Sequence, residues 1–318
     1  MVAGRLMEFL RYKKILVTGG TGFLGKHVCA KLNALSAKVI APKSIDYDLT
    51  NPIATKRLFM SVKPNIVLHL AARVGGIEYN KSRHAEQLYQ NVTMLLNVME
   101  GCKHLGVKKV VLVGSVCAYP GDAPIPFKEK DLMGNHPERT VIGYGTAKRF
   151  FIPVGAVYSD QYKLNVALPV LANLYGPGDN FDPLSCHVIP AMIRKLNDAK
   201  VNKIPSVTFW GSGKATREFL FVEDAAEIIL MTAEKDIEVR PFNVGSGEEI
   251  TMKDLAFAIA KLIDYDGEIR WDTSKPDGHP RRYLDISIMR KLFPEKKMIN
   301  IVDGLRFTIE WFLQRNKI

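Results

Sequence analysis

Ile15-Leu-Val-Thr18-Gly19-Gly20-Thr21-Gly22-Phe23-Leu24-Gly25 is the stretch that decides the fold. A short apolar run breaks at two glycines, and a helical pattern follows to about Leu35. Gly19, Gly22 and Gly25 recur at every third position. Glycines permit the tight turn and let backbone N–H groups approach a pyrophosphate. The helix N-terminus that follows favours the same negative charge. Thr21, Phe23 and Leu24 complete a loop that reads as a nucleotide-binding strand–turn–helix.

Reading outward, Lys38–Ala41, Ile66–Leu70 and Val110–Val113 are further short apolar runs. Helical patterns at about 52–62 and 83–104 separate them. Continuous apolar strands alternating with helices mean a parallel sheet covered on both faces. The fold class is therefore α/β, a Rossmann-type doubly wound parallel sheet, with residues 1–165 as the dinucleotide-binding domain. Residues 166–318 are less regular. Val166–Val170 reads as a strand, and turn clusters follow at Tyr175–Asp179, Gly211–Gly213, Gly245–Gly247 and Pro276–Gly278. Helices are expected at 187–199, 222–235, 251–264 and 302–315. This half should complete the sheet and build a smaller C-terminal α/β lobe for substrate.

The composition agrees with such a molecule. With 318 residues, 47% of them apolar and 24% charged, the chain can bury a sizeable core, which excludes disordered and fibrous classes. No apolar run approaches the ~18 residues of a membrane span. Met1–Lys14 is interrupted by charges and lacks the pattern of a signal peptide. Met7 offers an alternative start. Cys29, Cys102, Cys117 and Cys186 are widely spaced, which suggests a reducing compartment, no metal site and a cytoplasmic protein. The net charge of +11 is spread along the chain without a basic tail or an aromatic-interleaved patch. That pattern favours small polyanions or a plain basic surface over nucleic acid.

An acid at the end of the second strand would bind a ribose 2′-hydroxyl and repel a 2′-phosphate. Here the sequence is Ile40-Ala-Pro-Lys43-Ser44, with no acid before Asp46. Lys43 and Ser44 suit a 2′-phosphate, so NADP(H) is expected over NAD(H). Ser115 follows the strand at 110–113, and Tyr144-Gly-Thr-Ala-Lys148 comes later. Tyrosine and lysine at i and i+4 share a helix face. A nearby ammonium lowers a phenol pKa, so the hydroxyl can trade a proton near neutrality. Ser115 can donate a hydrogen bond to a substrate carbonyl.

The glycine spacing resembles that of the extended short-chain dehydrogenase/reductase superfamily. Longer motifs narrow this: Ala72-Arg-Val-Gly-Gly-Ile77, Ser115-Val-Cys-Ala-Tyr-Pro120, Asn173-Leu-Tyr-Gly-Pro-Gly-Asp-Asn-Phe181, Ser185-Cys-His-Val-Ile-Pro190, Trp210-Gly-Ser-Gly213, Arg217-Glu-Phe-Leu220 and Lys275-Pro-Asp-Gly278. Together they resemble the GDP-L-fucose synthase family, the bifunctional epimerase/reductases of GDP-4-keto-6-deoxy-D-mannose, over nearly the whole chain. The resemblance implies an acid near the adenine at Asp48-Leu49 and a turn along the cofactor at Leu70, Ala71 and Ala72. It implies Cys117 and His187 as the epimerisation pair. For the GDP-linked sugar it implies Asn173, Val188, Lys195, Trp210, Arg217 and Asp277. It also implies a homodimer pairing helices 83–104 and 143–162, for which Leu88, Val92, Leu95 and Met99 form an apolar stripe. A reductase or epimerase of a related GDP-linked keto sugar, such as a heptose, and a non-catalytic nucleotide-binding relative are the competing readings. Three residues depart from the family pattern. Pro153 and Gly155 fall in the Tyr144 helix, where proline should kink it, and Val116 stands where a second serine is common.

Overall fold

Ile15, Leu16 and Val17 are fully buried, and that two-sided burial is why this segment extends as a central strand rather than a surface one. The computed structural model describes residues 8–183 and 185–315; Met7, the alternative start, lies outside them. The described chain divides into two units. The first takes the residues up to Ala123, then Glu129–Leu171 and Glu223–Val244. The second takes Pro124–Lys128, Ala172–Val222 and the chain from Gly245 onward.

In the first unit the strands are β1 (Lys14–Thr18), β2 (Lys38–Ile40), β3 (Ile66–His69), β4 (Lys109–Leu112), β5 (Gly114–Ser115), β6 (Val166–Leu171) and β7 (Pro241–Val244). The longer helices are α1 (Phe23–Ala34), α2 (Pro52–Val62), α3 (His84–Leu105), α4 (Ile142–Tyr162) and α5 (Val222–Glu234), and a short helix, Ile77–Ser82, precedes α3. All pairings are parallel, in the order β7-β6-β4-β3-β1-β2, with β5 also paired to β6. Thr18 pairs with His69, and His69 with Leu112, so three strands end at one rim. The order reverses between β1 and β3, which places the glycine loop at the switch point where open α/β sheets bind ligands.

Local chemistry fixes the helix ends. Asn51 caps α2 by accepting the N–H groups of Ile53 and Ala54 at 2.9 and 3.1 Å, with Pro52 at the first helical position. One face of the sheet packs on Leu58, Phe59, Leu95, Val98, Met99 and Phe151. Leu95 and Met99 are therefore core residues, not part of a dimer surface. Their stripe faces the sheet because every helix in this architecture needs one apolar face for it. Leu88 and Val92 are half-buried. Helix α4 runs through Pro153 without interruption.

In the second unit Thr216–Phe221 is the centre of a small sheet, flanked by Glu249–Thr251, Arg281–Arg282 and Asn173–Tyr175. Ser206–Trp210 and Glu268–Asp272 form a separate parallel pair. Helices Val188–Val201, Met252–Ile263 and Ile301–Arg315 close its core around Tyr175, Ile193, Leu196, Phe219, Leu255 and Leu305. Phe181 stacks on Phe312 with ring centroids 4.6 Å apart.

A Cβ on Gly25 would lie 2.1 Å from the Gly19 carbonyl oxygen, whereas one on Gly155 would lie 3.2 Å from a Val166 methyl. Gly25→Ala should therefore destabilise by ~1–3 kcal/mol or more, because rigid backbone must move. Gly155→Ala should stay within about 1 kcal/mol of the parent, because alanine's helix preference offsets a mild contact. Denaturant midpoints of the two variants check this pair.

Candidate active site

The glycine loop forms the floor of a cleft of about 320 Å³ in the first unit. Gly19 adopts φ +71°, a left-handed conformation that favours glycine, and a Cβ there would lie 2.7 Å from the Ala71 nitrogen. The helix N-cap, Gly22, makes no side-chain cap, and no acid lies in the first turn of α1. The first N–H groups of α1 are thus left for an anion. Gly19, Thr21, Gly22, Phe23, Leu24 and Gly25 line the cleft, and so do Asp48, Leu49, Leu70, Ala71 and Ala72. This glycine-floored, anion-seeking cleft fits a dinucleotide. Lys43 is exposed and does not line it, while its neighbours Pro42 and Ser44 do. Arg73 supplies a cation to the wall instead.

Ser115, Cys117, Tyr144 and Lys148 all belong to the first unit. Ser115 ends β5, and its hydroxyl oxygen accepts the Cys117 N–H at 3.3 Å, which starts a tight helical turn over Val116–Ala118. The Tyr144 phenol is close enough to the Ser115 side chain to feel its hydroxyl. Lys148 donates to the Val113 carbonyl at 2.7 Å, and its Nζ lies 4.1 Å from the centre of the Phe151 ring. Both Tyr144 and Lys148 are buried.

Burial decides the protonation of this pair. It pushes the Lys148 amine down to about 7. It pushes the Tyr144 phenol above its ordinary value, with the neighbouring Cys117 adding to the rise and the Ser115 hydroxyl opposing it. The lowering of the phenol expected from the Tyr-x-x-x-Lys spacing is thus overturned. Desolvation dominates at the phenol, and the Lys148 amine is committed to the Val113 carbonyl.

Two features of the site were not marked by any motif. Tyr144 lies between Gly143 and Gly145, where a Cβ would come 2.1 Å from the His84 carbonyl oxygen and 2.2 Å from that of Cys117. The bare backbone lets α4 press against the Cys117 turn. Arg149 fastens the contact by donating to the Ala118 carbonyl at 3.0 and 2.7 Å. Beneath them His69 is fully buried, bonded to Thr18 at 2.8 Å and stacked on Phe151 at 5.6 Å. Burial, then the Lys148 charge, pull its pKa to about 3, so it stays neutral.

The other expected residues lie in the second unit. His187 is the N-cap of the helix Val188–Val201 without a side-chain cap bond, and desolvation draws its pKa down although the residue as a whole is exposed. Val188 follows it, and Asn173 opens a strand beside Phe219. Lys195 donates to the Thr208 carbonyl at 2.5 Å. Arg217 is half-buried and donates to the Thr216 carbonyl at 2.7 Å. Trp210 is exposed. Asp277 turns its carboxylate onto the backbone N–H and hydroxyl of Ser212 at 2.5 and 2.8 Å, which holds its pKa below the usual carboxylate range. No group of three or more His, Cys, Asp or Glu among the described residues can hold a metal ion.

Because the folded pKa of Lys148 is depressed, stability should rise with pH between about 7 and ~10.4, where only the unfolded chain takes the proton. Lys148→Met removes this cost. It should raise stability by about 1–3 kcal/mol below pH 7, with the gain fading toward pH 10. Melting curves of the cofactor-free protein across this range check the sign.

Known proteins share this architecture. A model of the NAD dependent epimerase/dehydratase family matches residues 15–245. A GDP-L-fucose synthase of Sinorhizobium fredii is 37% identical over 278 residues, covering 87% of this chain and 88% of that protein. A crystal structure of a GDP-L-fucose synthetase from Naegleria fowleri is similar with a TM-score of 0.87 and 30% identity, over 94% of this chain and 92% of the other. The NADP-bound GDP-mannoheptose C4 reductase of Campylobacter jejuni is similar with a TM-score of 0.87 and 27% identity, over 95% and 98%. The chain therefore belongs to the NAD dependent epimerase/dehydratase family, among its GDP-L-fucose synthases.

Proposed function

We propose that this chain is an NADPH-dependent 3,5-epimerase/4-reductase that converts GDP-4-keto-6-deoxy-D-mannose to GDP-L-fucose. The observation that carries this is the gathering of Ser115 and Tyr144 side by side, with Lys148 one turn along the same helix and Cys117 two residues from the serine. The substrate ketone at carbon 4 acidifies the protons on carbons 3 and 5. Cys117 and His187 remove and return those protons, so each inversion consumes none. Ser115 donates a hydrogen bond to the ketone oxygen and steadies the charge that develops there. NADPH, when bound, supplies the hydride for carbon 4. Tyr144 gives the matching proton to the oxygen, and a phenol kept protonated by burial is poised as an acid. Lys148 steadies the cofactor ribose and the tyrosine. Gly19, Thr21, Gly22, Phe23, Leu24 and Gly25 hold the pyrophosphate, and Ser44 and Arg73 are the nearest polar candidates for the 2′-phosphate. Lys195, Arg217 and Trp210 take the GDP moiety, and Asn173 and Val188 the sugar. Asp277 acts through the Ser212 turn rather than on the ligand.

A reductase of a related GDP-linked keto sugar is the second reading, favoured by the similarity to the heptose reductase. Turnover of GDP-4-keto-6-deoxy-D-mannose with NADPH in deuterated water separates the two. The expected product is GDP-L-fucose with deuterium at carbons 3 and 5 by NMR, with Cys117→Ser losing exchange by ~10²–10⁴-fold. Reduction without exchange by the parent enzyme would leave only the second reading.

The free cysteines, one of them fully buried, suit a cytoplasmic enzyme. Among the described residues no helix is long and apolar enough to cross a membrane. The expected homodimer finds support in a face other than the Leu95–Met99 stripe. Tyr89 and Leu96 on α3, and Phe150 and Val157 on α4, are exposed apolar residues at seven-residue spacing. Light scattering should give a dimer mass for the parent and a monomer for Leu96→Glu/Val157→Glu; a monomeric parent removes the proposal.

A further inference from the structure

Between Ala72 and Gly76 the chain has no regular secondary structure, yet the backbone groups of Arg73 and Gly75 are paired as a strand's are. The partner is not another strand but a set of buried amide side chains. Asn91, on α3, accepts the Arg73 N–H at 2.9 Å and returns a hydrogen bond to the Arg73 carbonyl at 3.0 Å. Two residues on, Asn80 accepts the Gly75 N–H at 3.2 Å and donates to the Gly75 carbonyl at 2.9 Å. Each amide thus exchanges both bonds with one residue, as a neighbouring residue does in an antiparallel ladder. The two-residue spacing is the period of a strand edge.

The amides are themselves tied together. Gln87 donates to the Asn80 carbonyl oxygen at 2.6 Å, and Asn91 donates its second N–H to the Gln87 backbone carbonyl at 2.7 Å. Asn80, Gln87 and Asn91 are 5%, 1% and 1% exposed. Three amides at this depth are costly unless bonded, so their pairing is demanding in geometry. The orientation of Asn91 is fixed, because its oxygen faces an N–H and its nitrogen faces two carbonyls.

Alternation along an extended segment turns the backbone groups of the intervening residues to the opposite edge. Ala72 and Val74 are those residues. Both line the dinucleotide cleft, as does Arg73 between them, whereas Gly75 does not. Among the described residues neither has a backbone hydrogen bond to the protein.

We propose that Asn80, Gln87 and Asn91 are positioning residues that act as a side-chain strand: they hold Arg73–Gly75 extended so that the free backbone edge at Ala72 and Val74 binds the dinucleotide. This rests on the reading of the cleft as an NADPH site, and deepens it by naming what holds the wall facing the glycine loop in place. Like the glycine loop, the wall at Ala72 and Val74 offers main-chain polarity, and the amides behind it set where that polarity points.

The test is NADPH binding by fluorescence titration, without sugar, alongside steady-state kinetics of the full chain. Asn91→Asp is nearly isosteric but sets an acceptor against the Arg73 and Gln87 carbonyls. It should raise the NADPH Kd and KM by roughly tenfold or more, the scale of one or two lost hydrogen bonds, with kcat at saturating NADPH within about twofold. A purely structural role would instead lower the melting temperature and the active fraction without moving the KM. Should Asn91→Asp fail to fold, Asn80→Ser and Val74→Pro decide. Val74→Pro deletes an N–H that has no protein partner, so it should weaken NADPH binding several-fold. Parent-like NADPH affinity in both foldable variants overturns the proposal. Failure of the parent to bind NADPH at all would instead overturn the cofactor reading, and binding without sugar turnover would overturn only the substrate.

Discussion

The constraint on which the rest depends is the contact between Gly25 and the Gly19 carbonyl, where not even a methyl group fits. It forces the first turn of α1 onto the end of β1. From that crossing the other positions follow. The N–H groups of α1 converge on one point, the rim of the sheet becomes the floor of a cleft, and the turn after β3 closes against the loop at Ala71. β3 and β4 then carry His69 and the Val113 carbonyl to the same rim, which is where Lys148 finds its acceptor.

Desolvation, more than charge pairing, shapes the chemistry at that rim. Tyr144 is kept as a proton donor, Lys148 is poised near neutrality and His69 is barred from charging. The three settings are mutually consistent. A cationic His69 beside Lys148 would compound the cost of an already buried amine. A lysine that titrates close to the working pH can respond to the charge of whatever fills the cleft.

The first unit was largely legible in the sequence because its strands are short apolar blocks and its helices carry a clear apolar period. Both signals come from the same two-sided burial of a parallel sheet. The second unit was less legible. Ser206–Trp210 alternates between buried and exposed, Glu268–Asp272 carries three charged residues, and Arg281–Arg282 is two residues long. Such strands are set by partners far along the chain, not by local pattern. Ser115, Tyr144 and Lys148 stand in recognisable motifs, but the protonation of the pair could not be read from spacing, because it depends on how deeply the helix is buried. Gly143, Gly145 and Arg149 fix that depth, and they look like ordinary helix residues in the sequence. The Leu95–Met99 stripe shows the converse: periodicity reveals that a helix has an apolar face without saying what covers it.

The division of the chain has a consequence for biosynthesis. The first unit is assembled from three separate stretches, and its edge strand β7 comes only after Pro124–Lys128 and Ala172–Val222 of the second unit have been made. A nascent chain that has exposed the cofactor loop and the catalytic helix still lacks β7 and α5. Until Pro241–Val244 emerges, β6 presents an open, wholly apolar parallel edge. Such an edge invites pairing with other chains. The enzyme thus cannot complete its first unit from the N-terminus onward, as a simple two-domain protein does, and its folding intermediates expose an edge that only β7 covers.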